Sequence, residues 1–82
     1  MLEYFIAPAG DHWRVRFEGR DYSPYRSWRE AVQAAIESAH AAGKSGLEAR
    51  VLVQEIDGTW REVWRYGFDQ YPPEVTPETP LK

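Results

Sequence analysis

Residues 27–43, SWREAVQAAIESAHAAG, restrict the fold more than any other stretch of the chain. Ser27 and Glu30 stand in S-x-x-E spacing. The serine hydroxyl can accept the amide hydrogen of residue 30, and the glutamate can reach back to the amide of residue 27. Trp28, Ala31, Val32, Ala35, Ile36 and Ala39 recur at helical spacing and form one apolar stripe, with Arg29, Glu30, Gln33, Glu37 and His40 elsewhere. Gly43 stands where a left-handed C-terminal cap is expected. The segment is therefore an amphipathic helix with one face to bury. Its alanines let it lie close to a sheet, while Trp28 and Ile36 supply bulk.

The rest of the chain supplies strands for that face. Residues 2–7 (LEYFIA) put Leu2, Tyr4 and Ile6 on one side, Glu3 and Phe5 on the other. Residues 8–11 (PAGD) are turn composition. Residues 12–18 (HWRVRFE) alternate cleanly, with Trp13, Val15 and Phe17 inward and His12, Arg14, Arg16 and Glu18 outward. Residues 19–26 form a connection, turning at Gly19, with room for a short strand near Tyr22. After the helix, residues 48–56 and 59–66 flank Asp57-Gly58, a two-residue hairpin signal in which both positions tolerate positive φ. A type I′ turn pairs Ile56 with Thr59. Val51 and Trp64 then share the core face with Val53 and Glu62, and Glu62 needs an explanation there. The other face pairs Leu52 with Val63, Gln54 with Arg61 and Arg50 with Arg65. The expected fold class is α+β: a two-layer sandwich in ββαββ order, an antiparallel sheet with one helix packed on one face. Residues 1–70 make the single domain. Residues 71–82, with Pro72, Pro73, Pro77 and Pro80, read as an extended or disordered tail that can lay Tyr71 or Val75 on the domain.

Composition narrows the class of function. A chain of 82 residues must build a dense core. It has no cysteine, so neither disulfides nor thiolate zinc sites can help; four Trp, five Tyr and three Phe supply the bulk instead. Absent cysteines, the lack of a basic leader followed by an apolar run, and the lack of a bilayer-length apolar stretch together point to the cytoplasm and to no membrane partner. The net charge of −3 disfavours a nucleic-acid partner. Between residues 12 and 65, however, nine basic residues meet eight acidic ones, and eight of the ten basic residues in the chain are arginine. Arginine suits planar, bidentate contacts.

Catalytic motifs are missing. Gly43-Lys44-Ser45 imitates the end of a phosphate-binding loop, but Ser38 stands where that motif needs its first glycine. A helix also precedes it and a strand follows, the reverse of what directs backbone amides at phosphate. Glu37 and His40 have metal-ligand spacing, yet His12 is the only other histidine and a metal needs three or four protein ligands. Serines 23, 27, 38 and 45 have no nucleophile context, and nothing brings Asp11 and Glu18 together as a working pair. No cofactor is called for, and the expectation is a protein that is not an enzyme.

What remains is the outward sheet face. Arg14, Arg16, Arg50, Arg61 and Arg65 share it with His12, Leu52, Val63 and Ile56. The candidate binding face is Arg14, Arg16, Arg50, Leu52, Arg61, Val63 and Arg65. Apolar residues among arginines suit a protein partner or a homodimer; phosphates of nucleic acid are the alternative. The plain competing account is a solvated face whose arginines pair with neighbouring carboxylates. Pro77-Glu78-Thr79-Pro80 matches P-x-x-P, a common pattern.

Trp13-Arg14-Val15 followed by Glu18-Gly19, the helix opening Ser27-Trp28-Arg29-Glu30-Ala31, the Asp57-Gly58 hairpin and the closing Tyr66-Gly67-Phe68-Asp69 with prolines soon after form an ordered set. In order and spacing, over roughly residues 4–73, this resembles a mostly bacterial family of domains of unknown function, the one numbered 2188. The long Trp-rich last strand and the linker at residues 43–47 depart from it. The resemblance implies the ββαββ fold and carries over no active site. A looser likeness, to the arm-site-binding domains of phage integrases, implies a sheet entering a DNA groove. The negative charge and the extra C-terminal hairpin weigh against it.

Overall fold

A computed structural model describes residues 1–73. Five strands and one helix follow one another as β1 (Leu2–Ala9), β2 (His12–Phe17), β3 (Arg20–Tyr25), α1 (Trp28–Lys44), β4 (Ala49–Gln54) and β5 (Trp60–Arg65). They form a single sheet in the order β3-β2-β1-β4-β5, with α1 packed on one face, chiefly over β4 and β1. The class is α+β, as the patterning implies, but the sheet is mixed and has five strands. β1 pairs antiparallel with β2 and parallel with β4.

The extra strand and the parallel pair have one cause. Residues 20–25 form a full edge strand rather than a connection. Without β3, the helix would return the chain antiparallel to β1. With it, the chain reverses direction once more before α1, so β4 must run parallel to β1. Only Tyr25 of β3 is even partly buried, so the strand carries no apolar alternation for a sequence pattern to register. Pro24 sits in it without harm: Ser23 and Pro24 lie opposite the single residue Arg14 in a bulge, on a strand with one free edge. Glu18 and Gly19 turn the chain from β2 into β3, both at positive φ (53° and 80°), as a type I′ hairpin requires. β1 runs on through Pro8 and Ala9, which pair with Trp13 and His12. Pro8 lies beyond the last residue paired with β4, where the strand has a free side.

Ser27 caps α1: its Oγ accepts the Glu30 amide at 3.1 Å. The Glu30 carboxylate reaches back one residue further than expected and accepts the Arg26 amide at 3.1 Å. The C-terminal end corrects the expectation for Gly43, which is helical. The helix runs to Lys44 and ends in a Schellman motif: Gly46, at φ 97°, donates to the Gly43 carbonyl at 2.9 Å and Leu47 donates to that of Ala42 at 3.2 Å. Gly43 serves packing instead. A Cβ there would lie 2.1 Å from Cγ of Tyr66, so only glycine lets that ring lie against the helix.

The core lies between helix and sheet. Ala31, Val32, Ala35, Ile36 and Ala39 meet Tyr4, Ile6, Val15, Val51, Val53 and Trp64, all buried. Each large buried side chain contributes about 1.5–3 kcal/mol. The chain does not leave the domain at residue 71. The Trp64 indole donates to the Gln70 carbonyl at 2.9 Å, Tyr71 stacks on His40 at 3.6 Å, and Tyr71, Pro72 and Pro73 line a small cavity together with Gln33, Ile36 and Glu37 of the helix. The remaining tail, with Val75 and the P-x-x-P pattern at 77–80, lies outside the described residues.

Candidate functional site: the open sheet face

The sheet face turned away from α1 has no covering element among the described residues. Cross-strand pairing fixes its members in rows. Asp21, Arg16, Phe5, Leu52 and Glu62 lie side by side across all five strands. Glu3, Arg50 and Arg65 form a second row, Arg14 and Ala7 a third, and Gln54 faces Trp60.

Of the seven residues expected on this face, Arg14, Arg16, Arg50, Leu52 and Arg65 are there. Arg61 and Val63 are not. The Asp57-Gly58 turn is wider than a two-residue loop: Glu55 pairs with Thr59 and Gly58 donates to the Glu55 carbonyl, leaving Ile56, Asp57 and Gly58 at the tip. Gly58, at φ 91°, supplies the left-handed residue of that three-residue connection. Near the tip the register therefore slips by one, so that Gln54 meets Trp60, Val53 meets Arg61 and Leu52 meets Glu62. A bulge at Val63 absorbs the slip, and Val51 with Trp64 and Arg50 with Arg65 keep the expected pairing. A one-residue slip exchanges faces. Trp60 and Glu62 come onto the open face. Val63 packs against the core, and Arg61 turns to the other side, paired with Glu55. Ile56 is fully exposed at the loop tip, off the face. The slip also removes the difficulty with Glu62, which never faces the core.

The arginines on this face are paired. Asp21 accepts Nε of Arg16 at 2.8 Å and Nη2 at 3.3 Å, a bidentate contact, and Nη1 of Arg14 at 3.3 Å. Arg50 bridges Glu3 and Glu62, with Nε 3.0 Å from Glu3 and Nη1 3.0 Å from Glu62. Arg65 donates to the same Glu62 oxygen through Nη2 at 2.9 Å. Hydrogen bonds from Arg16, and then its charge and that of Arg14, hold the Asp21 carboxyl below its ordinary range. Arg65 and Arg50 do the same for Glu62. The reciprocal bonds push Arg16 and Arg50 further up, so both stay charged. Four arginines thus meet three carboxylates, and the single excess charge falls on the Arg14–Arg16 side.

Between these pairs lies an apolar centre that sequence reasoning found only in part. Phe5 meets Trp60 edge to face, with ring centroids 5.0 Å apart and planes at 73°. Leu52 is only 6% exposed although no other layer covers it. Trp60 stays 42% exposed. Phe5, Ala7, Arg14, Arg16, Gln54 and Trp60 line a shallow groove of about 290 Å³. Phe5 was legible as outward-facing from strand alternation. Trp60 was hidden by the slip, and its one signal was the misplaced Glu62.

No group of three or more metal-ligating side chains exists among the described residues. His40 stacks on Tyr71, and His12 lies 3.1 Å from Asp11 at the β1–β2 turn. No helix among the described residues is long and apolar enough to cross a membrane. Compared with models of known families, with curated proteins and with solved structures, the chain matches none.

Proposed function

We propose that this chain is a non-catalytic protein-interaction module of the cytoplasm that binds a partner protein, or a second copy of itself, through the open sheet face. One observation carries the reading: Trp60, nearly half exposed, stands beside Phe5 over a buried Leu52, ringed by arginines that are already charge-paired. Aromatic anchors within a polar, arginine-bearing rim match the anatomy of protein interfaces, where a few such residues carry most of the affinity. Paired arginines leave only one excess charge, on the Arg14–Arg16 side, for another protein surface to match. Both sheet edges are poor docking sites, since β3 carries Pro24 and β5 is bulged at Val63. The ordered set of motifs, which resembles the unknown-function family numbered 2188, fits a small domain with no catalytic signature, and the cysteine-free composition agrees with a reducing compartment.

The second reading is single-stranded nucleic acid on the same face. Phe5 and Trp60 beside Arg14 and Arg16 favour it, because stacking platforms next to cations bind single strands. The carboxylates of Asp21, Glu3 and Glu62 oppose it, since each arginine contact to phosphate would compete with an existing pair.

Amide NMR separates the two. A dilution series of the protein, and titrations with short single- and double-stranded DNA and RNA, are run at low and at physiological salt. Concentration-dependent shifts at Phe5, Leu52 and Trp60 that resist salt and vanish in Trp60→Ala support self-association through this face. Oligonucleotide shifts at Arg14, Arg16 and Trp60 that fade with salt put nucleic acid in its place. Shifts confined to residues off this face overturn both.

A further inference from the structure

The unmatched charge on the open sheet face has a fixed address. Arg16 holds Asp21 through two nitrogens, and Arg14 adds one bond from Nη1 at 3.3 Å. A guanidinium carries five N–H donors, and Asp21 takes one of those on Arg14. Arg50 and Arg65 are matched by Glu3 and Glu62. Arg14 opens instead on the groove it shares with Arg16, Phe5, Ala7, Gln54 and Trp60, and no carboxylate lines that groove among the described residues. Glu3 and Glu18 line a separate hollow on the other side of Phe5 and Arg16.

Charge narrows the occupant. The groove lacks one negative charge and offers apolar surface beside it, where Trp60 stands 42% exposed against the Phe5 ring. A polyanion fits poorly: every phosphate past the first would find no unmatched arginine, on a chain of net charge −3. A second copy of the face does not supply the charge either, because its Asp21, Glu3 and Glu62 already hold arginines of their own chain. Register then sets a spacing. Phe5 pairs with Arg16 and Ala7 with Arg14, so Phe5 and Arg14 are diagonal neighbours. Such neighbours lie about 7–8 Å apart. In an extended chain, side chains on one face recur every second residue, about 6.6–6.8 Å apart.

We infer that the groove between Arg14 and Trp60 binds an extended segment of a different protein, in which an aspartate or glutamate stands two residues from an apolar side chain. The carboxylate meets Arg14, and the apolar side chain lies on Phe5 and Trp60. This names the partner chemistry for the open face and rests on reading that face as a protein-interaction surface.

The test titrates isotope-labelled full chain with the capped pentapeptide ALSDA and, in parallel, with its neutral isostere ALSNA and with a thymidine tetranucleotide. Amide, arginine side-chain and indole signals are followed. The expected result is saturable shifts at Phe5, Arg14 and Trp60 with ALSDA, and binding of ALSNA weaker by about fivefold, the worth of a good exposed ion pair. In Arg14→Gln, with circular dichroism unchanged, the two peptides should bind alike. Equal binding of ALSDA and ALSNA by the unaltered chain would overturn the inference and leave the reading standing, since the face would then bind peptides without regard to charge. Discrimination that persists in Arg14→Gln would place the charge recognition elsewhere and overturn it too. Tighter binding of the tetranucleotide would overturn both in favour of nucleic acid. No saturable shift at millimolar peptide would overturn the inference alone, because salt-resistant, Trp60-dependent self-association in the dilution series would still support the reading.

Discussion

The β5 flank and the β3 flank of the helix use the same material to opposite ends. Each sets aromatic side chains beside the helix. On the β5 flank Trp64, Tyr66, His40 and Tyr71 pack on one another, the Trp64 indole is hydrogen-bonded to Gln70, and Gly43 lets the Tyr66 ring touch the helix backbone. On the β3 flank Tyr4 and Phe17 stack, but Tyr22 and Tyr25 line a groove rather than a seam. The helix covers β4 and β1 and leaves both edge strands thinly covered, so the difference is what lies over the rings: the chain at residues 70–71 returns over the β5 flank and none of the described chain returns over the β3 flank. Aromatic content alone therefore does not separate core from site; the presence or absence of a third segment over the rings does.

Trp64→Ala should show the largest effect. Trp64 is 2% exposed, and its loss opens a cavity under both the helix and the strap that residues 70–71 form over it. Truncating a buried Trp costs about 3–5 kcal/mol. At roughly 0.05–0.15 kcal/mol per residue, a domain this size has about 4–12 kcal/mol in total. Urea unfolding should find the variant marginal or unfolded. A cost below about 1 kcal/mol would mean that the β5 flank is not part of the core, and the contrast would fail.

Gly43→Ala comes next and sharpens the contrast, because the same substitution would normally stabilise a helix by about 1 kcal/mol. Here the new methyl meets the Tyr66 ring at 2.1 Å. Overpacking of this kind costs about 1–3 kcal/mol, outweighing the propensity gain. Pairing it with Tyr66→Ala should recover most of that loss in a double-mutant cycle. Stabilisation by Gly43→Ala alone would show that the ring can move aside freely.

These two positions also show what the sequence could and could not reveal. The helix, its Ser27 cap and its buried stripe follow from 3.6-residue spacing, and β1 and β2 from alternation of Tyr4, Ile6, Trp13 and Val15. Gly43 looked like a cap because it follows the last stripe residue; that Tyr66, from a distant strand, presses on it is not a local property. Of β3 only room for a short strand near Tyr22 was legible, because an exposed edge strand needs no apolar face, and leaving it out of the sheet reversed the sheet's parity. At the candidate site, Arg14, Arg16, Arg50, Leu52 and Arg65 were readable from alternation. Their partners were not, since Glu3 lies 47 residues from Arg50. The exchange of Arg61 and Val63 for Trp60 and Glu62 turned on a single residue of loop length.

Tyr71→Ala should cost less than either, about 1 kcal/mol, the worth of an aromatic stack beyond its buried area. Its clearer effect is local. The Trp64 indole bond to the Gln70 carbonyl depends on the strap staying in place, so exchange of the indole hydrogen should accelerate well before global unfolding. Unchanged exchange would mean that Trp64 is shielded by the helix alone. The two flanks would then differ in decoration and not in closure.

Tyr22→Ala should cost least. Tyr22 is an aromatic at the helix side of the sheet, as Trp64 is, yet it is 43% exposed on an edge strand and lies at the rim of an open groove. Removing it leaves no sealed cavity, and Tyr4 and Phe17 keep their stack. Substitutions at such positions stay within about 0.5 kcal/mol. Side-by-side unfolding of Tyr22→Ala and Trp64→Ala should therefore separate them by several kcal/mol. A Tyr22→Ala cost of about 2 kcal/mol or more would mean that this tyrosine is held in place by folding, and the β3 flank would be core with a dent in it. A near-zero cost leaves a large aromatic side chain standing in solvent without helping the fold, and its use must then lie in what it contacts from outside.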